Sequence, residues 1–202
     1  MKKIFKTAAF VVLALAAAGC AKAVTEGPNE ANKRYFDAWM ELNHPDVKPT
    51  GIGIYILEEE AGNGAEVKKD NYVYVDYTIT DLQGNITSYT RKETAEQLGE
   101  YSKADYYGPK VLTTFENTIQ AGLADALIGM KVGGRKKIII PSWLMTYKSY
   151  DKPEEYLKNS SSGTNTIYDI TIRSFADSIY NYELDQIGAY FKANSDVYGN
   201  MT

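Results

Sequence analysis

The segment from Ile119 to Pro141 constrains the fold of this 202-residue chain more than any other stretch. One apolar stripe of a short helix is predicted by residues four apart: Ile119, Leu123 and Leu127. Gly129 then ends the helix, and the pair Gly133-Gly134 is typical of a turn. A basic strand follows from Arg135 to Ile140 and stops at Pro141. The sequence therefore predicts a helix, a tight turn and a strand in immediate succession.

Alternating apolar residues predict further strands on both sides of this segment. The clearest runs from Asn71 to Thr80, and a hairpin turn leads from it to a strand at Ile86–Thr90. Gly51–Glu58 and Thr166–Phe175 alternate in the same way. Tyrosine is abundant, with 17 residues, and many fall in these segments, which favours a β-rich domain. Because the apolar faces need the central helix to cover them, we predict an α+β fold.

Two further helices are predicted outside the strands. Lys33–Leu42 carries an apolar side made of Tyr35, Phe36, Trp39 and Met40. Tyr180–Asn194 is amphipathic and either packs on the same domain or lies free. Residues 147–165 read as a long loop with one helical turn near Pro153, and residues 91–115 give no clear pattern.

The N-terminus resembles the leader of a bacterial lipoprotein. Three lysines precede an apolar run at Ala8–Ala18 that is too short to span a membrane. Small residues lead directly into Cys20, the single cysteine of the chain. We predict a signal peptide at 1–19, lipidation of Cys20 and a polar tether at 20–32, which would make an outer-membrane lipoprotein facing the periplasm. The alternative is an ordinary signal peptide with a chance cysteine.

Composition argues against several classes of function. The formal charge of −4 does not favour nucleic-acid binding. The single histidine, His44, lies in a turn-like sequence and is expected to be a solvated loop residue. No cluster of cysteine and histidine and no nucleotide-binding glycine motif occurs, so we expect no metal and no cofactor. We expect a monomer.

The order of these motifs resembles that of the FKBP-type peptidyl-prolyl cis-trans isomerases. The core pattern of that family is filled by Ile119, Gly122, Leu123, Gly129, Met130, Gly133 and Arg135–Pro141. Val73, Val75 and Tyr77 match its "V-x-V-x-Y" strand, and Ile167–Ile170 matches its last strand. The resemblance implies a curved antiparallel sheet wrapped around one short helix at 51–175. An N-terminal helix and connector at 33–50 and a C-terminal helix and tail at 176–202 would be additions.

The resemblance also implies a proline-binding pocket. Its catalytic residues would be Tyr77, Ile119, Gln120, Leu123, Tyr147 and Tyr168. Its wall would be completed by Ile86, Tyr89 and Trp143. Several positions depart from the family pattern. Thr87 and Ser88 replace a Phe-Asp pair, Leu123 replaces a tryptophan, and Thr146 holds the place of a tyrosine that comes one residue later as Tyr147.

Three functions are compatible with this sequence. The first, implied by the resemblance, is a prolyl isomerase of reduced activity acting on proline-containing segments of envelope proteins. The second is a non-catalytic module of the same fold that binds peptides or a fixed partner. The third is an unrelated β-rich lipoprotein that binds a small ligand.

Overall fold

The computed structural model describes residues 29–160 and 163–199. The predictions for the signal peptide, for Cys20 and for most of the tether lie outside these residues. The helices are α1 (Glu30–Asn43), α2 (Lys92–Leu98), α3 (Ala121–Leu127), α4 (Pro153–Asn159), α5 (Ile179–Ala193) and α6 (Ser195–Tyr198), with a 3₁₀ turn at Ser142–Leu144. The strands are β1 (Tyr55–Glu60), β2 (Tyr72–Thr80), β3 (Ile86–Tyr89), β4 (Lys110–Thr113), β5 (Arg135–Ile140) and β6 (Thr166–Ala176).

One antiparallel sheet organises the described residues. Its strands follow the order β1-β5-β6-β2-β3, and β4 pairs with β2 beyond the end of β3. The α+β class predicted from the sequence is confirmed. The strand predicted at Gly51–Glu58 begins only at Tyr55, because the backbone turns at Gly53, where φ is +108°, and Thr50 N–H donates to Ile54 O.

Helix α3 covers the sheet and forms the centre of the core. Leu123 and Leu127 of α3 are buried against strand residues that are also buried. The facing strand residues are Val73, Val75, Ile138, Ile140, Ile170 and Ile172. The predicted apolar stripe is therefore correct. Ile119, however, lies two residues before the helix, in the segment that leads into it.

Helix α1 is part of this domain. Phe36 is fully buried, and its ring contacts Tyr55 and Trp143 edge-on at centroid distances of 5.4 and 5.6 Å. Tyr55 pairs with Ile139 on β5, so α1 packs on the sheet face opposite to α3. One detail of the prediction was wrong, because Tyr35 is exposed. His44 follows the helix in a loop and is half-buried, with its ring 5.4 Å from that of Trp39.

Hydrogen bonds hold the first described residue, Asn29, against the end of α4. Asn29 is completely buried, and its Nδ2 donates to the carbonyl oxygens of Leu157 and Ser160 at 3.0 and 2.8 Å. Helix α1 starts at Glu30 instead of the predicted Lys33, so the tether predicted at 20–32 overlaps it. This helix and the buried residue before it thus begin earlier in the chain than the sequence pattern indicates.

Helix α5 is joined to the sheet near its start. Ser178 caps it by accepting a hydrogen bond from Asn181 N–H. The rings of Tyr74 and Tyr182 lie 4.5 Å apart, and the Tyr74 hydroxyl donates to Glu183 at 3.2 Å. None of the helices among the described residues combines the length and the apolar composition that spanning a membrane requires.

Candidate functional site

A hollow of about 380 Å³ opens between the covered sheet face and the start of α3. We call it the tyrosine hollow. It is lined by Tyr77, Ile79, Val111, Leu112, Thr113, Thr118, Ile119, Gln120, Leu123, Tyr147 and Tyr168. Its volume lies in the range of about 300–1,000 Å³ that is usual for ligand pockets.

Strand register explains why two of the tyrosines meet. On β2 and β6, Tyr77 pairs with Ile170 and Ile79 pairs with Tyr168. Directly paired residues of antiparallel strands project on the same face, so all four side chains lie on the side that α3 covers. Tyr168 is 6% exposed, and its ring forms part of the floor of the hollow.

The opposite wall comes from the start of α3 and the loop after β5. Ala121 N–H donates to Thr146 O at 2.8 Å, which holds this loop against the helix. Gln120 Nε2 donates to the Tyr147 hydroxyl at 3.2 Å. Because the Tyr147 oxygen accepts this bond, its own proton remains able to donate to a ligand. The tyrosine that comes one residue late in the sequence therefore still reaches the hollow.

The phenols of the hollow are suited to donate hydrogen bonds. Burial raises the pKa of Tyr168 to about 12, with the nearby Tyr77 and Tyr147 adding to the shift. Tyr168 therefore keeps its proton at neutral pH. Among the described residues, neither the Tyr168 nor the Tyr77 hydroxyl has a hydrogen-bond partner. Both are available to a carbonyl oxygen that enters the hollow.

Two backbone donors lie on the same wall. Within the described residues, the N–H groups of Ile119 and Gln120 make no hydrogen bond. Gln120 is the N-cap of α3 and has extended backbone angles. The first N–H groups of a helix have no partner within the helix itself. A ligand carbonyl is one candidate partner for them.

The structure brings six of the predicted residues together and leaves three apart. Tyr77, Ile119, Gln120, Leu123, Tyr147 and Tyr168 all line the tyrosine hollow.

The predictions for Ile86, Tyr89 and Trp143 as pocket residues were wrong. Tyr89 pairs with Thr78 and Ile86 with Thr80, so both project from the face opposite to the hollow. The Tyr89 hydroxyl instead donates to Glu100 at 2.8 Å.

Trp143 lies within the 3₁₀ turn and packs in the core. It is buried beside Phe36 of α1 and does not line the hollow. Ser88, by contrast, pairs with Ile79 and shares the face of the hollow. The family pattern places a carboxylate at this position, and the serine leaves the site without that charge.

Sequence reasoning missed the wall formed by strand β4. Val111, Leu112 and Thr113 line the hollow, but they belong to a four-residue strand whose first half is exposed. So short an edge strand shows no alternation in the sequence. The signal that could have found it is its position, since it precedes Ile119 by a few residues.

Across 29–160 and 163–199, no group of three histidine, cysteine, aspartate or glutamate side chains could hold a metal ion.

Comparison with solved structures identifies proteins of similar architecture. FkpA from Escherichia coli is 21% identical over 86% of this chain and 70% of its own, with a TM-score of 0.46. A peptidyl-prolyl cis-trans isomerase from Pseudomonas syringae pv. tomato is 22% identical over 75% of this chain and 98% of its own, with a TM-score of 0.50. No protein-family model and no curated protein matches the sequence.

The likeness establishes the fold. The Pseudomonas syringae structure is covered almost completely, so the sheet and its central helix are those of an FKBP-like domain. At 22% identity the comparison does not transfer an activity. The chemistry of the tyrosine hollow has to carry any functional conclusion.

Proposed function

We propose that this chain is a peptidyl-prolyl cis-trans isomerase of reduced activity that acts on X–Pro bonds of cell-envelope proteins. The observation that carries the proposal is the convergence of Tyr77, Tyr147 and Tyr168 on one hollow above Leu123. An FKBP-like fold with this hollow supplies both parts of an isomerase site, an apolar seat and hydrogen-bond donors.

The reaction needs no nucleophile, metal or acid–base pair. Amide resonance sets a barrier of about 18–20 kcal/mol to rotation of the peptide bond. Ile119, Leu123 and the Tyr168 ring would hold the proline ring away from water. The phenolic protons would stabilise the carbonyl as it turns out of conjugation. A site lowers the barrier when these contacts are stronger in the twisted state than in the planar one.

We expect reduced activity because the hollow lacks two groups of the family pattern. Thr87 and Ser88 occupy the positions of the Phe-Asp pair, so one aromatic wall and one carboxylate are absent. Tyr89 does not replace the missing aromatic ring, because it projects from the other face of the sheet. The same observation favours a second candidate, a binding module that holds extended proline-containing segments without turning them.

The cellular setting is proposed from the sequence alone. Lipidation of Cys20 would tether the domain to the outer membrane on its periplasmic side. Metabolic labelling with a palmitate analogue should tag the wild-type chain and leave Cys20→Ser unlabelled. Equal labelling of both chains would exclude lipidation at Cys20.

The activity is tested with an X–Pro peptide and the chain from Ala21 to Thr202, which contains all described residues. We expect acceleration of isomerisation above the uncatalysed rate. Tyr168→Ala should reduce kcat/KM by about tenfold or more, since it removes both ring and hydroxyl. Tyr168→Phe should reduce it by only about 2- to 12-fold, the value of one hydrogen bond of about 0.5–1.5 kcal/mol.

A matched control is Tyr106→Phe, which removes an exposed hydroxyl outside the hollow. It should leave the rate unchanged. Absence of acceleration by a folded wild-type chain would refute the catalytic proposal. Peptide binding that is weakened by Tyr168→Ala would then support the binding module.

A further inference from the structure

Of the three tyrosines in the tyrosine hollow, Tyr147 stands on the least rigid support. Tyr77 and Tyr168 project from strands β2 and β6, whereas Tyr147 lies in the loop of residues 145–152 between the 3₁₀ turn and α4. Its side chain is 54% exposed, against 6% for Tyr168. A group acts on a ligand only when it is held within about 0.5 Å of its productive position, and loops achieve this less well than strands. The placement of the Tyr147 hydroxyl therefore depends on the contacts that fix this loop.

The loop is attached to the neighbouring wall on both sides of Tyr147. Before it, Ala121 N–H donates to Thr146 O at 2.8 Å. After it, Ser149 N–H donates to the side-chain oxygen Oδ1 of Asn117 at 3.2 Å. The first attachment joins backbone to backbone, whereas the second depends on a single side chain. That side chain is therefore the part of the attachment that a substitution can remove.

The backbone of Asn117 explains why an asparagine suits this attachment. Asn117 is the third residue of a turn that Thr118 N–H closes by donating to Phe115 O at 3.3 Å, and its φ is +60°. A positive φ at this position of a turn favours glycine or asparagine. Glycine would satisfy the backbone equally well, but it offers no oxygen to Ser149. The asparagine meets both requirements, because it tolerates the turn and reaches the loop.

The attachment contributes little to the stability of the fold. Asn117 is exposed, and its hydrogen bond to Ser149 lies at the surface. Such a bond replaces bonds to water, so its net contribution is modest. Asn117 also does not line the tyrosine hollow, so it does not touch a ligand there. Any effect of Asn117 on chemistry in the hollow has to pass through the loop that carries Tyr147.

We propose that Asn117 is a positioning residue, which keeps the Tyr147 hydroxyl directed at the carbonyl oxygen of an X–Pro segment. This inference rests on the function proposed above. Gln120 contacts the hydroxyl itself through its Nε2, and Asn117 fixes the backbone from which the ring projects. A donor that is already in place does not have to be ordered when the ligand enters. Asn117 therefore raises the rate without taking part in the reaction.

Removal of the side chain without strain in the turn tests the proposal. Asn117→Gly keeps the positive φ and should lower kcat/KM for the X–Pro peptide by about 2- to 12-fold, the range of one hydrogen bond. Asn117→Asp keeps an acceptor oxygen and should stay close to the wild-type rate. The matched control is Asp70→Gly. Asp70 is also exposed and has a φ of +61°, but its side chain makes no hydrogen bond or ion pair among the described residues. This control should leave kcat/KM unchanged.

A double-variant cycle separates positioning from a general loss of structure. Because Asn117 acts through Tyr147, Asn117→Gly should not lower kcat/KM further in a chain that already carries Tyr147→Ala. A merely structural role would lower the rate by the same factor in both chains, and that result would overturn the proposal. Urea unfolding should show nearly equal stability for the wild-type chain and Asn117→Gly. If the chain binds the peptide without turning it, the same cycle is read in its dissociation constant.

Amide hydrogen exchange of Ser149 tests the attachment without any substrate. Its N–H should exchange faster in Asn117→Gly than in the wild-type chain, and Asp70→Gly should leave the exchange unchanged. Unchanged exchange in Asn117→Gly, or an unchanged kcat/KM, would overturn the role of Asn117 alone. A wild-type chain that neither accelerates isomerisation nor binds the peptide would refute the proposed function, and with it any positioning role, even if the exchange changes as expected.

Discussion

The burial of Phe36 predicts that α1 and the sheet unfold as one unit. Its side chain is 0% exposed and touches two aromatic rings. Burying a phenylalanine removes about 150–250 Å² from water, worth about 4–6 kcal/mol at about 25 cal/mol per Å². Alanine keeps part of this contact but leaves a cavity, so Phe36→Ala should lower the free energy of unfolding by about 3–5 kcal/mol.

Urea unfolding followed by fluorescence and by circular dichroism measures this loss. The chain has two tryptophans, Trp39 on α1 and Trp143 beside Phe36, so fluorescence reports on this interface directly. The two signals should give one coincident transition. The midpoint of thermal unfolding should fall by about 6–20 °C, from about 2–4 °C per kcal/mol.

The matched control for this prediction is Tyr35→Ala. Tyr35 is the neighbouring residue on α1 and is 55% exposed, so its loss should cost less than about 1 kcal/mol. The reasoning is refuted if Phe36→Ala costs no more than this control. Separate fluorescence and circular dichroism transitions would show that α1 docks as an independent element.

Three further perturbations follow from the structure. Gly62→Ala should lower the free energy of unfolding in urea by about 2 kcal/mol or more, because a Cβ there would lie 2.4 Å from Val132 O. The control Gly51→Ala should leave it unchanged, because a Cβ on Gly51 has no neighbour within 4 Å. Burial raises the pKa of Tyr168 to about 12 from 10.0, so the unfolded chain loses this proton first and stability should fall as the pH rises from about 10 to 12. Tyr168→Phe should reduce that fall in unfolding experiments at pH 9 and 11, and an unchanged slope would contradict the assignment. Arg135→Met should lower the free energy of unfolding by about 1 kcal/mol at low salt and by less in 1 M NaCl. The reason is that its ion-pair partners, Glu58, Glu60 and Asp169, are partly exposed and therefore screened by salt. A loss that does not depend on salt would show that packing dominates.

Periodicity in the sequence predicted the elements that lie across the core. β2 and β6 alternate over 9 and 11 residues, which is long enough for one face to be recognised. β4 has 4 residues and α2 has 7, and both are largely exposed, so no pattern marks them. This explains why residues 91–115 could not be placed.

Strand register determines which of the predicted site residues lie together in the hollow. Tyr77 and Tyr168 were recognised from their strands, and antiparallel pairing brings their faces together. Ile86 and Tyr89 flank the missing aromatic residue in the sequence, but both pair with residues on the face opposite to the hollow. Sequence alone does not give the register of β3, where an irregularity separates the pairs at Ile79 and Thr80.

The burial of Asn29 would limit the distance between the domain and a membrane if the chain were lipidated. If Cys20 carries a lipid, nine residue steps separate it from Asn29, whose side chain is fixed to the end of α4. A fully extended chain gains at most about 3.3–3.6 Å per residue, so the domain stays within about 30 Å of the lipid. That is comparable to the diameter of a small domain. Such a short connection would restrict the tyrosine hollow to clients at the bilayer surface. It would also keep the local concentration of the hollow high there.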